Sequence, residues 1–265
     1  MKNYIHAFTA EFILDLRQSW RYKTSFFTDL IVQFLIYSAL LFAGKYTWMT
    51  RQYGGILAES KSLMLVGYVF WSYAVSAINE TGNDVRVEAN RGTLEQKCLS
   101  VVPLWWLLMA KSLSGILIST TFVALLVGMS TIFFNVGVKI TTGAFFAWAI
   151  MLMGMYGFGF VIGGIALVVK KVGQLVFLIQ IVLLFLTGTI MPLKSFPYIL
   201  QLVGRYLPLT QGMKIAKISI GGTRTISFES WLVLIIISAV YLTFGLLFFH
   251  MSERFARKEG LLGRY

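Results

Sequence analysis

Glu80-Thr81-Gly82-Asn83-Asp84-Val85-Arg86-Val87-Glu88-Ala89-Asn90-Arg91-Gly92-Thr93-Leu94-Glu95-Gln96-Lys97-Cys98-Leu99-Ser100-Val101-Val102-Pro103 is a charged island set between two long apolar runs. Its local signals predict two short helices with a break between them. Asn83 or Asp84 supplies an N-cap for the first, and Gly92 stands where a left-handed C-terminal residue is wanted. Thr93 followed by Gln96 has the spacing of a capping box, so the second helix is expected to start at Leu94 and to stop before Pro103. Helix, glycine turn and helix make a compact polar knob. On a membrane protein such a knob is placed to be touched by something outside the bilayer.

The rest of the chain makes it a membrane protein. Of its 265 residues 57% are hydrophobic and 13% charged, too apolar a balance for a soluble domain. The net charge of +12 is spread over loops without a basic stripe interleaved with aromatics, which argues against nucleic acid as a partner and for anionic headgroups. Cys98 is the single cysteine, so no internal disulfide can form, and two histidines offer no zinc-binding cluster. Residues 1–23 carry polar and acidic side chains throughout and do not read as a cleavable signal, leaving the first span as the insertion signal.

In chain order, Ile5, Phe8, Phe12, Leu16 and Trp20 fall at helical spacing, with Glu11, Asp15 and Gln18 on other faces, which predicts an amphipathic helix lying in the membrane interface. Spans are expected over residues 26–44, 62–79, 104–134, 144–169, 173–190 and 230–250. Lys111 marks how much of the third lies outside the hydrocarbon, and Gly159 with Gly163 gives the fourth a small-residue face for a neighbouring helix of the same chain. Between residues 191 and 229, Pro192, Pro197 and Pro208 break up apolar pieces too short to span, which predicts short outer helices lying on or dipping into the leaflet. The expected fold is therefore all-α, a single integral membrane domain of six transmembrane helices over residues 1–265. With both termini on the cytoplasmic side, 14 of the 23 Lys and Arg lie inside and nine outside, a modest positive-inside bias.

Three polar groups are out of place in such spans: Asp29, Gln33 and Gln180. A polar group facing lipid is left unpaired, so each is expected at a subunit interface or a cleft. The plainer alternatives are that Asp29 pairs with Arg21 or Lys23, and that each glutamine bonds a neighbouring helix of its own chain.

Glu88, then Gly92-Thr93-Leu94-Glu95-Gln96, then Pro103 closely resemble the cytoplasmic loop after the second span of ABC type-2 permeases, the membrane subunits of ATP-driven exporters. Gly188-Thr-Ile-Met-Pro192-Leu, Phe196-Pro197 and Pro208 resemble the family's proline-punctuated end of the fifth span and its two outer helices, so the likeness covers nearly the whole chain. The resemblance implies that the knob is a coupling helix docked on the ATPase, with Glu88, Gly92, Thr93, Leu94 and Glu95 in contact, Leu94 as buried anchor and the carboxylates at the rim. It implies two ATPase subunits holding ATP and Mg, a second permease subunit, identical or related, and a dimer closing through the first and fifth spans. It also implies a cell-membrane location and a cargo of drug, antibiotic, peptide or lipid.

No Gly-x-x-x-x-Gly-Lys-Ser/Thr phosphate loop occurs in the sequence, so ATP hydrolysis is expected on a separate subunit and no cofactor on this one. No Gly-x-Ser-x-Gly elbow, paired aspartate motif or metal cluster points to an enzyme. Export of lipid-linked glycan or teichoic acid is a second reading. An ion-coupled secondary transporter using Asp29 and Gln180 is a third, and it predicts paired broken helices where the sequence has one interruption.

Overall fold

A computed structural model describes residues 2–21, 23–45, 57–100, 102–137, 140–169, 172–188, 193, 196–221 and 226–260. These residues form helices with short connections and contain no strand. In chain order the helices are α1 (Lys2–Arg21), α2 (Lys23–Lys45), α3 (Leu57–Asn90), α4 (Leu94–Cys98), α5 (Leu104–Phe134), α6 (Thr142–Val168), α7 (Gly173–Leu186), α8 (Tyr198–Arg205), α9 (Pro208–Gly221) and α10 (Phe228–Lys258).

Among the described residues, five stretches are long and apolar enough to cross a membrane: Lys23–Phe42, Lys61–Asn90, Leu104–Phe134, Thr142–Val168 and Phe228–Lys258. In α3 and α6, 72% of the span window is buried, against 17% in α2 and α5 and 28% in α10, so α3 and α6 form the centre. Glycines let α6 press close on both sides. A Cβ on Gly159 would lie 2.5 Å from the Ala77 carbonyl of α3, and one on Gly245 of α10 would lie 1.9 Å from the Gly157 carbonyl. The Gly159 and Gly163 face thus packs within its own chain, as expected.

Two expectations about helix limits are corrected. Residues 62–79 and the first arm of the knob are one continuous helix of 34 residues, with no break or cap at Asn83 or Asp84. The polar groups after Glu80 find side-chain partners without leaving the helix, since Arg86 donates to Asn83 (2.8 Å) and Glu88 accepts from Lys97 and Lys111. At about 1.5 Å per residue, α3 is about 51 Å long and outruns a hydrocarbon core of about 30 Å. The stretch expected as a span over 173–190 is helical only to Leu186, 14 residues or about 21 Å, shorter than the core on its own. Gly188, at φ 77°, takes the chain out of helical geometry there, and residues 189–190 lie outside the described ones.

Prolines place the short helices between α7 and α10. Pro197 is the N-cap of α8, and Pro208 opens α9 at the position where its missing N–H costs nothing. Leu209, Met213, Ile215 and Ala216 of α9 are buried in the main core beside Met151 and Ala147 of α6.

On the N-terminal helix, Phe8, Phe12 and Leu16 of the expected apolar stripe are half-buried, and further apolar side chains face outward. Ile5, Ile13, Leu14 and Trp20 are exposed, while Glu11 is buried against the protein. Trp106 of α5 clasps its start, donating Nε1–H to the Tyr4 carbonyl (3.2 Å) and packing at a tilt against Phe8 (5.6 Å between centroids). An apolar face turned outward with its acids turned inward suits a helix beside lipid.

Candidate coupling segment and membrane cleft

The turn after α3 is built by backbone bonds. Thr93 N–H donates to the Glu88 carbonyl (3.1 Å) and Gly92 N–H to the Ala89 carbonyl (3.0 Å), the two bonds of a Schellman ending. Gly92 accordingly sits at φ 70°, and a Cβ there would meet nothing within 4 Å. The capping box does not form: Thr93 has helical dihedrals, and its hydroxyl donates back to the Glu88 carboxylate rather than accepting from α4. The helix still begins at Leu94, because the turn itself sets its direction.

Leu94 does not stand outward as an anchor for a partner. It is 1% exposed and packs with Val85, Leu104, Leu108 and Phe249, fastening α4 to its own chain. Cys98 is equally enclosed, and burial, helped by the nearby Glu253 charge, pushes its thiol up to about 11. The exposed edge includes Gly92, Glu95, Gln96 and Leu99, the last 77% exposed.

Glu88 is likewise buried and serves as the hub of an ion network rather than a rim group. It accepts from Lys97 (2.8 Å) and Lys111 (2.9 Å). Lys97 also donates to Glu11 of α1 (2.6 Å), and Lys111 lies 3.7 Å from both Glu11 and Asp84. Beside it, Ser114 of α5 donates to Asp15 of α1. Gln18 accepts from Arg91 (2.9 Å) with its amide oxygen turned toward the guanidinium. Two cations and three carboxylates thus tie α1, α3, α4 and α5 together in a place largely shielded from water, where removing one member leaves its partners short of a buried charge. A sequence signal for this was available: Lys111 is a lone cation in an apolar run, which calls for a partner inside the protein.

The three polar span residues meet at one cleft. Asp29 and Gln33 of α2, Asn79 and Glu80 of α3, Ser119 of α5 and Gln180 of α7 line a space of about 620 Å³. Gln180 donates to Asn79 (2.7 Å), its carbonyl accepts from Trp71 (3.2 Å), and Gln33 accepts from Tyr68 (3.0 Å). Each glutamine therefore bonds a helix of its own chain while facing the cleft. Asp29 makes no ion pair among the described residues; Lys23 instead lies over the Trp20 ring (4.7 Å). Glu80 escaped the sequence reading because it was assigned to the knob. It lies deeper, accepting from Tyr156 (2.8 Å) and, weakly, from Ser119 (3.5 Å).

Membrane-length helices around a central pair, a polar cleft among them and a charged turn fastened at one end define a multi-pass α-helical membrane protein. The family model of the ABC-2 type transporter matches residues 3–220, and the chain belongs to that family. It is therefore a permease component, one whose ATPase is a separate subunit. No curated protein matches the sequence.

Proposed function

We propose that this permease is the membrane half of an exporter, moving an amphipathic cargo outward with ATP hydrolysed on two separate Mg-dependent ATPase subunits. Two permease chains, identical or related, pair in the cell membrane with their termini and the α4 turn in the cytoplasm. The observation that carries this reading is the α3–α4 turn, whose exposed edge is joined by the Glu88 network to Glu11 in the middle of α1 and to Lys111 in the first third of α5. An ATPase pressing on Gly92, Glu95 and Leu99 would move those helices together, because the joint between them is buried ion pairing rather than a loose loop. Glu88, Thr93 and Leu94 hold the edge in place. The cleft lined by Asp29, Gln33 and Gln180 is the cargo path.

Cross-linking tests the docking edge. A photoreactive residue at Leu99 is expected to capture the ATPase subunit in native membranes, and one at Leu94 is not. Capture from Leu94 alone would overturn the assignment.

A further inference from the structure

We infer that the cleft takes a cargo bearing a positive charge on an apolar body, an amphipathic organic cation, with Asp29 and Glu80 as its counter-ions. This rests on the exporter reading for the direction of movement, but the charge of the ligand follows from the cleft itself. Although the chain carries a net +12, none of the described residues lining this 620 Å³ space is Lys or Arg. Its size is that of a drug-like molecule.

The acids along α3 divide into two sets. Asp84 and Glu88 face Lys111 and Lys97 and are already matched with positive charge. One turn nearer the middle of the membrane, Glu80 receives, among the described residues, hydroxyl groups only, from Tyr156 and Ser119. Gly115 of α5 makes room for that carboxylate, since a Cβ there would come within 2.1 Å of Oε2. Asp29 faces the same space from α2 with no ion pair among the described residues. Two carboxylates with no basic partner among the described residues, in a cleft walled by Phe26, Trp71, Phe122 and Phe177, give the space an acidic lining on an apolar wall. An organic cation supplies the matching positive charge, sheds little hydration and finds ring faces for cation–π contact. An anion of the same shape meets repulsion from both acids.

A second space, about 540 Å³, shares Asn79, Glu80, Phe177 and Gln180 with the first and continues to Asn83, Arg86 and Gly173 near the α4 end. The two together lead from that end of the molecule to Glu80. Among the described residues lining this approach the one cation, Arg86, donates to Asn83 at the outer part rather than to Glu80.

The test uses two ions matched in shape and size, tetraphenylphosphonium and tetraphenylborate, binding to the full chain in lipid nanodiscs, counted above empty nanodiscs. The phosphonium is expected to bind at least about tenfold more tightly than the borate. Asp29→Asn and Glu80→Gln are each expected to weaken the phosphonium about tenfold while leaving the borate unchanged or tighter, and Asp29→Glu to restore wild-type binding. Glu80→Gln keeps an acceptor for Tyr156, and Asp29 is exposed, so neither change removes a packing contact. Equal binding of both ions, or a double variant that binds phosphonium like the wild type, overturns the inference. Adding the ATPase subunits in sealed vesicles separates the two readings. Phosphonium that binds through both acids but is not moved by ATP supports the site and sinks the exporter reading. ATP-driven export of another cargo, untouched by either substitution and without phosphonium binding, sinks the site and leaves the exporter standing.

Discussion

Lys97 donates to Glu11 at 2.6 Å across 86 residues of sequence, joining the short helix α4 to the N-terminal helix. With Glu88 and Lys111 it makes a joint of charges at the end of the molecule where the turn projects. Replacing one member leaves its partners short of a charge in a poorly solvated place. Glu88→Ala, which removes the acceptor of two lysines and a threonine, is expected to destabilise the chain by about 3–5 kcal/mol, read as a lowered unfolding midpoint in detergent. Adding Lys111→Met should cost less than the sum of the two single changes, because the partners share one network.

Gly92 needs a left-handed backbone but has open space around it. Gly92→Asn is therefore expected to be tolerated, whereas Gly92→Val should cost about 1–2 kcal/mol from the backbone alone and tilt α4. The readout is ATPase stimulation by the assembled complex. Wild-type stimulation in Gly92→Val would show that the angle of the turn does not matter.

The contact between α6 and α10 leaves no room for a methyl group at Gly245, while Gly128 of α5 has nothing within 4 Å of a built Cβ. Gly245→Ala is expected to destabilise the bundle by about 1–3 kcal/mol or more, and Gly128→Ala to leave the midpoint unchanged. Thermal unfolding of the two variants side by side checks this.

Cys98 is 2% exposed and its thiol stays protonated well above neutral pH. With a value of about 11, roughly one thiol in ten thousand is ionised at pH 7, and that fraction rises tenfold per pH unit until the value is reached. Maleimide labelling of the folded chain is expected to be slow at pH 7, to quicken with alkalinity and to become fast on unfolding. Leu99→Cys in a Cys98→Ser background should label readily at pH 7, and in sealed cells only after lysis if the α4 end is cytoplasmic. Labelling of intact cells by an impermeant maleimide would reverse the orientation.

The features legible in the sequence were those set within a few residues. Gly92 showed its left-handed turn, Leu94 the start of α4, Pro197 and Pro208 the short helices, and Gly159 with Gly163 a packing face. Where a residue's role depended on distant partners, local pattern misled. Thr93 and Gln96 have capping-box spacing, yet Glu88 draws the Thr93 hydroxyl backward. Asn83 and Asp84 look like caps, but their helix continues because the polar groups beyond them are met by side chains from α4 and α5. Leu94 has the look of a docking anchor in sequence, and its inward direction shows only in the buried cluster it shares with Val85, Leu104 and Leu108. Glu80, drawn into the charged stretch by its neighbours in sequence, belongs in space to the cleft.

Purification of the chain from its native membrane with its partners intact tests the central claim most directly. A separate ATPase subunit is expected to come with it and hydrolyse ATP with Mg, and Glu95→Arg combined with Leu99→Asp should release that subunit while the permease keeps its unfolding midpoint. A folded, active chain that carries no ATPase, or one that keeps its ATPase and full coupling with both edge residues changed, would contradict the account.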